Sequence, residues 1–260
     1  MPVQFTVLGS GSGGNCAYLE TPTTRILVDA GFSGRQIAAR LATIGRTVEE
    51  IDAIILTHEH SDHTAGLGVL CNRNQLPLYC NRLTADAIRH ELPRFNNWKL
   101  FTTGDSFEIG DLTVSSFTIP HDAYDPVGFL ITHDSLKIGF LTDLGHCTKM
   151  VVERMREANV LLLETNHDLK MLQDTPNRPW SLKQRIASRH GHLSNVAAAR
   201  AACDITNDRL HHVFLAHMSQ ECNRPDLAHK AVRTALDGLG ATHVATHITS
   251  QESPCPTLSL

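Results

Sequence analysis

The segment Ile54-Ile55-Leu56-Thr57-His58-Glu59-His60-Ser61-Asp62-His63-Thr64-Ala65-Gly66 carries three imidazoles and a carboxylate in the order H-x-H-x-D-H, directly after an apolar run. On extended backbone alternate side chains share a face, so His58 and His60 point the same way. Past a turn, Asp62 and His63 present an oxygen and a nitrogen to a second point nearby. Imidazoles and a carboxylate delivered by one rigid strand end are what two adjacent divalent cations need. The competing reading is a solvated His-rich loop.

One segment cannot fill two coordination shells, so further donors must come from other strand ends. His121 follows the apolar run 112–119 in Thr-Ile-Pro-His-Asp. Asp143 follows 138–141 in Phe-Leu-Thr-Asp, and His217 follows 213–216 in Phe-Leu-Ala-His. Each alone reads as a capping or surface residue. Their shared position just past a buried strand, together with the H-x-H-x-D-H segment, makes them candidate metal ligands.

The elements that must position these groups are short. Apolar runs at 4–8, 17–19, 25–28, 53–56, 112–119, 128–131 and 136–141 read as strands, bounded by Gly, Asp, Thr and Pro. Helical patterns lie at 35–44, 64–70 and 85–91. Thr132-His133-Asp134-Ser135 reads as the turn of a hairpin. Further on, 149–157 reads as a helix and 160–163 as a buried strand. Helices at 195–202 and 226–236 alternate with strands at 212–216 and 243–247. Hairpins mixed with helix-linked strands imply mixed sheets with covering helices and exclude a purely parallel Rossmann sheet. One domain over 1–249 is expected, followed by a loose tail over 250–260.

Composition narrows the class. The chain has 260 residues, 42% of them hydrophobic, with 23 Lys+Arg, 27 Asp+Glu and 16 His. Its mean hydropathy is −0.15. That excludes a mostly disordered protein, and no run reaches the ~20 apolar residues of a membrane span. No secretory signal is visible, and the seven Cys show no C-x-x-C pair, so reduced thiols and a cytoplasmic location are expected. Residues 170–233 hold ten Lys and Arg against five acidic residues, a local +5 in a chain of net −4. Such a segment can present a positive face to a phosphate backbone, or be solvated charge spread over several helices.

The H-x-H-x-D-H segment, the upstream Val28-Asp29-Ala30-Gly31, and the later His121, Asp143 and His217 resemble the metallo-β-lactamase superfamily along nearly the whole chain. Gly9-Ser10-Gly11-Ser12-Gly13-Gly14-Asn15-Cys16, Leu163-Glu164-Thr165-Asn166-His167-Asp168 and Gly191-His192-Leu193-Ser194-Asn195 resemble its YycJ/WalJ group, linked to 5′→3′ DNA exonuclease activity and related to tRNase Z-like phosphodiesterases. The resemblance implies an α/β fold, an αβ/βα four-layer sandwich of two mixed sheets with outer helices and metals at one edge. It implies two divalent ions, Zn²⁺ or Mn²⁺. His58, His60 and His121 would hold one; Asp62, His63 and His217 would hold the other; Asp143 would bridge them. Asp29 would not ligate but accept a hydrogen bond from a ligand imidazole. A hydroxide bridging the metals would attack a phosphodiester whose oxygens the ions neutralise. His192 and His167 are the candidate proton donors, His167 being also a candidate ligand.

The Gly-rich loop 9–14 is not followed by Gly-Lys-Ser/Thr or by a helical pattern, so neither a P-loop nor a Rossmann reading fits. A tight turn that brings backbone close to the metal edge fits better, with Ser10, Ser12 and Asn15 as candidate substrate contacts. Arg185 and Arg189 are candidates for a substrate phosphate. Trp180 and Phe214 are read first as core; the alternative is that a Trp beside Arg178 stacks on a base. Cys147 stands four residues after Asp143, which disfavours a lactamase-type Cys ligand. The preferred function is a dinuclear metal-dependent phosphodiesterase, a 5′→3′ exonuclease acting on nucleic acid, DNA in preference to RNA, with no membrane partner and the oligomeric state open. The alternative is a small-molecule ester or thioester hydrolase of the same fold, for which a closed apolar pocket would replace a positively lined groove. A structural metal protein is the third reading, disfavoured because structural zinc sites are closed and usually carry Cys.

Overall fold

The computed structural model describes residues 2–260. The chain divides into two compact units. One comprises residues up to Ser116 with Ala123–Val127 and Thr249–Leu260; the other comprises Phe117–Asp122 with Gly128–Ile248.

The first half of the chain supplies β1 (Gln4–Gly9), β2 (Cys16–Glu20), β3 (Arg25–Val28), α1 (Gly34–Thr43), β4 (Ala53–Ile55), α2 (Ser61–Thr64), α3 (Leu67–Asn74), β5 (Leu78–Asn81), α4 (Arg82–Ile88), β6 (Trp98–Phe101), β7 (Ser106–Ile109) and β8 (Leu112–Thr118). The second half supplies β9 (Val127–His133), β10 (Leu136–Leu141), α5 (Lys149–Met155), β11 (Val160–Glu164), α6 (Leu169–Asp174), α7 (Trp180–Ile186), α8 (Asn195–Ile205), β12 (His212–Ala216), α9 (Pro225–Gly238), β13 (Ala245–Ile248) and β14 (Leu258–Ser259). No helix among the described residues is long and apolar enough to cross a membrane.

One sheet runs β14-β1-β2-β3-β4-β5-β6. It is antiparallel through β3 and parallel from β3 to β6. The other runs β13-β12-β11-β10-β9-β8-β7, parallel from β10 to β13 and antiparallel between β9 and β10 and between β7 and β8. The sheets are mixed, as the alternation of hairpins and helix-linked strands implies. The parallel strands are buried throughout where they feed the site: β4, β11 and most of β12 are apolar runs with no exposed residue. Within each sheet the parallel strands end together, so the residues just past them fall along that sheet's edge.

Each unit has its own core. Leu8, Leu27, Ile37, Leu41, Ile54 and Leu70 belong to that of the first, and Phe117, Leu141, Leu163, Ala198, Leu215 and Val232 to that of the second. Helix starts are capped as their sequences dictate. Ser33 and Gln36 form a capping box on α1, and Ser194, Thr148 and Asp168 accept from the backbone at the starts of α8, α5 and α6.

Some elements differ from the sequence reading. The helix expected over 64–70 is two helices, α2 and α3, interrupted where the Gly66 amide bonds back to Ala30 O at 2.8 Å. The tail 250–260, expected to be loose, is tied down: Gln4 and Phe5 of β1 pair with Ser259 and Leu258, Ser250 O accepts from Ser10 N, and Cys255 N donates to Val7 O. Exposed backbone on the outer side of β1 offers bonds that a tail with few charges accepts. Phe214 is buried as expected, but Trp180 is 67% exposed. The apolar contact that anchors α7 is made instead by Ile186 and Leu182 with Leu172 and Cys222.

Candidate metal centre

The first unit carries one half of the candidate donor set. β3 is followed by Asp29, which adopts a left-handed backbone, φ 60°. This conformation costs an L-residue about 1 kcal/mol or more, and Asp tolerates it better than most. It turns the carboxylate toward the end of β4. Asp29 Oδ1 accepts from Thr57 N at 2.9 Å, and Oδ2 accepts from His63 Nδ1 at 2.8 Å. His63 therefore carries its hydrogen on Nδ1 and keeps a lone pair on Nε2. His58 Nδ1 lies 3.0 Å from Thr57 Oγ1, itself bonded to Asp29. His60 is the cap residue of α2, and that single helical turn presents Asp62 and His63. The His58 ring lies 4.5 Å from His60 and 4.2 Å from His63, and Asp62 Oδ2 is 3.6 Å from His63 Nε2.

The Gly-rich loop supports this half. Asn15 Nδ2 lies 3.3 Å from His63 Nε2 and 3.5 Å from Asp62 Oδ2, while Asn15 Oδ1 accepts from Ser10 Oγ at 2.8 Å. Asn15 N also donates to Asp62 O at 2.8 Å. Ser10 and Asn15 are thus buried struts under the Asp62–His63 turn, and Ser12 is exposed on the loop.

The second unit carries the other half of that set. Asp143 after β10 and His217 after β12 also adopt left-handed backbones, φ 57° and 54°. Of the five described non-glycine residues with positive φ, three are therefore the strand-end residues Asp29, Asp143 and His217. Left-handed backbone concentrated at strand ends is a mark of a functional edge. Asp143 Oδ1 is 3.3 Å from His217 Nε2 and 3.6 Å from His121 Nε2. His121 Nδ1 donates to Gly191 O at 3.1 Å, and Gly145 N donates to Pro120 O at 2.8 Å, which fastens the His121 and Asp143 loops together.

Glu164 organises this half, and sequence reading gave it no role. It is fully buried at the end of β11. Its Oε1 accepts from His192 Nδ1 at 2.7 Å and from His217 Nδ1 at 3.2 Å; its Oε2 accepts from Leu144 N at 2.6 Å and Leu193 N at 3.2 Å. Burial alone pushes this carboxyl up, but the charge and hydrogen bond of His192 and the bond to His217 hold it below the usual carboxylate range. Burial likewise opposes protonation of His192, yet Glu164 raises it above the ordinary imidazole value. The signal was available: an acidic residue directly after the apolar run 160–163 stands where Asp143 and His217 stand after theirs. Ligand-type atoms of Asp143, Glu164, His192 and His217 all lie within 4.8 Å of one another.

The donor set fits divalent metal. His63, His121 and His217 each have Nδ1 engaged by an oxygen, which leaves Nε2 as the donor and fixes the ring plane. Cys147 stands apart from these groups, its thiol pushed up to about 12 by burial. His167 is buried, neither ring nitrogen has a hydrogen-bond partner among the described residues, and burial lowers it to about 4, so it is a neutral imidazole near pH 7. Arg185 pairs with Asp122, and Arg189 reaches His146 Nε2 at 3.1 Å.

Replacing Asp29 with Asn should weaken metal binding about 10- to 100-fold. The amide nitrogen must then face either the Thr57 amide or His63 Nδ1–H, both donors. Competition with a chromophoric chelator measures the change; wild-type affinity would show that Asp29 does not orient His63.

The β-lactamase superfamily domain family matches residues 24–218. The exodeoxyribonuclease YycJ of Bacillus anthracis is 37% identical over 243 residues, 92% of this chain and 91% of that protein. The exodeoxyribonuclease WalJ of Streptococcus pneumoniae (strain D39) is 38% identical over 237 residues, 90% of this chain and 88% of that protein. Among solved structures, the metallo-β-lactamase fold protein YhfI from Bacillus subtilis superposes with a TM-score of 0.75 at 19% identity, covering 98% of this chain and 99% of that one. Two mixed sheets with their helices are the metallo-β-lactamase fold. A domain match across most of the chain, and identity above one third along nearly all of two relatives, make this chain a member of the metallo-β-lactamase superfamily in its YycJ/WalJ group.

Proposed function

We propose that the chain is a dinuclear metal-dependent phosphodiesterase that removes nucleotides from the 5′ end of DNA. The observation that carries this reading is the set of His side chains, His63, His121 and His217, whose Nδ1 atoms are locked by Asp29, Gly191 and Glu164. The near full-length likeness to two proteins named exodeoxyribonucleases supports the choice of DNA.

His58, His60 and His121 would hold one ion; Asp62, His63 and His217 the other; Asp143 would serve both. Zn²⁺ and Mn²⁺ both suit this donor set. The ions would supply charge against the equatorial phosphate oxygens and activate water at neutral pH. The protein's own part is proton handling. His192 is held through Nδ1 by Glu164, so its Nε2 is the atom that gives a proton to the departing 3′ oxygen. A carboxylate behind the ring stabilises the imidazolium before transfer. His167, neutral and buried, does not serve as that acid.

Metal content per chain should be two, and 5′-phosphorylated single- or double-stranded DNA should release mononucleotides. Chelation should abolish release, and Zn²⁺ or Mn²⁺ should restore it. Asp62→Ala and His60→Ala should each lower turnover on the order of 10²–10³-fold or more with folding retained. Preference for RNA would correct the substrate; turnover of thioesters but of no nucleic acid would replace this reading with a small-molecule hydrolase.

A further inference from the structure

We infer that Trp180 is a stacking platform for a nucleotide base of a single strand that runs from the metal centre along α7. The inference rests on the nuclease reading and deepens it. α7 is attached to the second unit's candidate donors by its C-terminal end. Ile186 O accepts from His192 N at 2.9 Å, and Arg185 pairs with Asp122, the neighbour of His121. Gly191, whose carbonyl holds His121, lies so close to this end that a Cβ there would fall 2.2 Å from the carbonyl oxygens of Arg185 and Ile186. The two histidines and the helix end are therefore one rigid piece.

The opposite end of α7 presents Trp180, 67% exposed. Seven helical residues at 1.5 Å each place the indole about 10 Å from the His192 end. At about 3.4 Å per stacked nucleotide, that distance spans about three nucleotides. The surroundings match a phosphate backbone in sign. Between Leu169 and His192 the chain has Lys170, Arg178, Lys183, Arg185 and Arg189; three of these pair with Asp174, Glu221 and Asp122, and Lys183 and Arg189 remain in excess. The apolar contact that fixes α7 uses Ile186, Leu182, Leu172 and Cys222, so the indole is not needed to hold the helix. A large aromatic in water, flanked by cations and set a few nucleotides from the reacting phosphate, has the chemistry of a sequence-tolerant stacking site.

The test is equilibrium binding of fluorescein-labelled, 5′-phosphorylated oligothymidylates of two, four and ten nucleotides to the metal-free full-length chain, by anisotropy. Wild type should gain affinity sharply between two and four nucleotides. Trp180→Ala should lose that step, binding the ten-mer about 10- to 100-fold more weakly, and Trp180→Phe should restore most of it. With metal restored, the same loss should appear in KM for the ten-mer. Undiminished ten-mer binding by Trp180→Ala, in a chain that degrades DNA, overturns the inference and leaves the nuclease reading standing; it would mark the indole as a contact for another protein. A wild-type chain that neither binds nor degrades any DNA overturns both.

Discussion

Glu164→Gln should reduce turnover by on the order of 10²-fold or more and weaken metal binding 10- to 100-fold, although it changes one oxygen to nitrogen in a fully buried side chain. Four N–H groups converge on the two carboxylate oxygens: Leu144 N and Leu193 N on Oε2, His192 Nδ1 and His217 Nδ1 on Oε1. An amide has one acceptor oxygen and one donor NH₂, so either orientation sets the NH₂ against two donors. The backbone amides cannot change; the imidazoles can. The amide oxygen will therefore take the backbone pair, and the NH₂ will face the imidazoles. Each ring must then accept at Nδ1 and carry its hydrogen on Nε2.

The consequence reaches both roles proposed for this half. His217 with hydrogen on Nε2 has no lone pair left for a cation. His192, without the carboxylate behind it, loses the charge that raises its proton affinity. The metal count, the chelator competition and the nitrogen chemical shifts of the two rings report the tautomer change directly, apart from activity. Loss of one buried charge-assisted network should also lower Tm by several degrees while leaving the fold intact. Wild-type metal affinity and rate in Glu164→Gln would remove Glu164 from the centre.

The parts of this arrangement that could be read from sequence are those where one physical rule dominates. Residues 25–28, 136–141 and 212–216 stand out as buried apolar runs, and they are strands with those limits. β6 and β7 could not be read in that way. Trp98-Lys99-Leu100-Phe101 and Ser106-Phe107-Glu108-Ile109 are mostly exposed, and they are held by ring contacts such as Phe101 to Phe107 at 4.7 Å. That contact depends on tertiary pairing, which no local pattern encodes. α6 and α7 are short and polar for the same reason: a few residues, Leu172 and Ile186, do the anchoring. In the candidate site, His121, Asp143 and His217 were legible because each follows an apolar run. The left-handed turns that swing Asp143 and His217 inward were not, since Asp and His are common in ordinary loops too. Nor was the strut formed by Ser10 and Asn15, which required knowing that the Gly-rich loop lies under Asp62.

Gly31→Ala should displace that strut and the ligand turn together, with a loss of activity on the order of 10²-fold or more. A Cβ on Gly31 would fall 1.6 Å from Asp62 O, 2.4 Å from Asp62 C and 2.6 Å from Asn15 N. All three are backbone atoms, so no rotamer change relieves the overlap. The same backbone is stitched tightly: Gly31 N to Asn15 O, Asn15 N to Asp62 O and Ala30 N to His63 O are each 2.8 Å. To restore contact distance the 60–63 turn must move by well over 1 Å, and a shift of that size at a reacting centre costs about 10²-fold. Asp62 and His63 ride on that turn, so metal binding should weaken with activity; Ala30 and Phe32, which flank the new methyl, belong to the first unit's core, so Tm should fall as well. Gly68→Ala is the control. It lies on α3 with nothing within 4 Å of its Cβ and no positive φ, so it should leave metal binding unchanged and raise stability by about 0.5–1 kcal/mol. Metal titration and thermal melts of the two variants side by side separate a local displacement from a general penalty for alanine, and equal metal affinities would mean that Gly31 does not position Asp62.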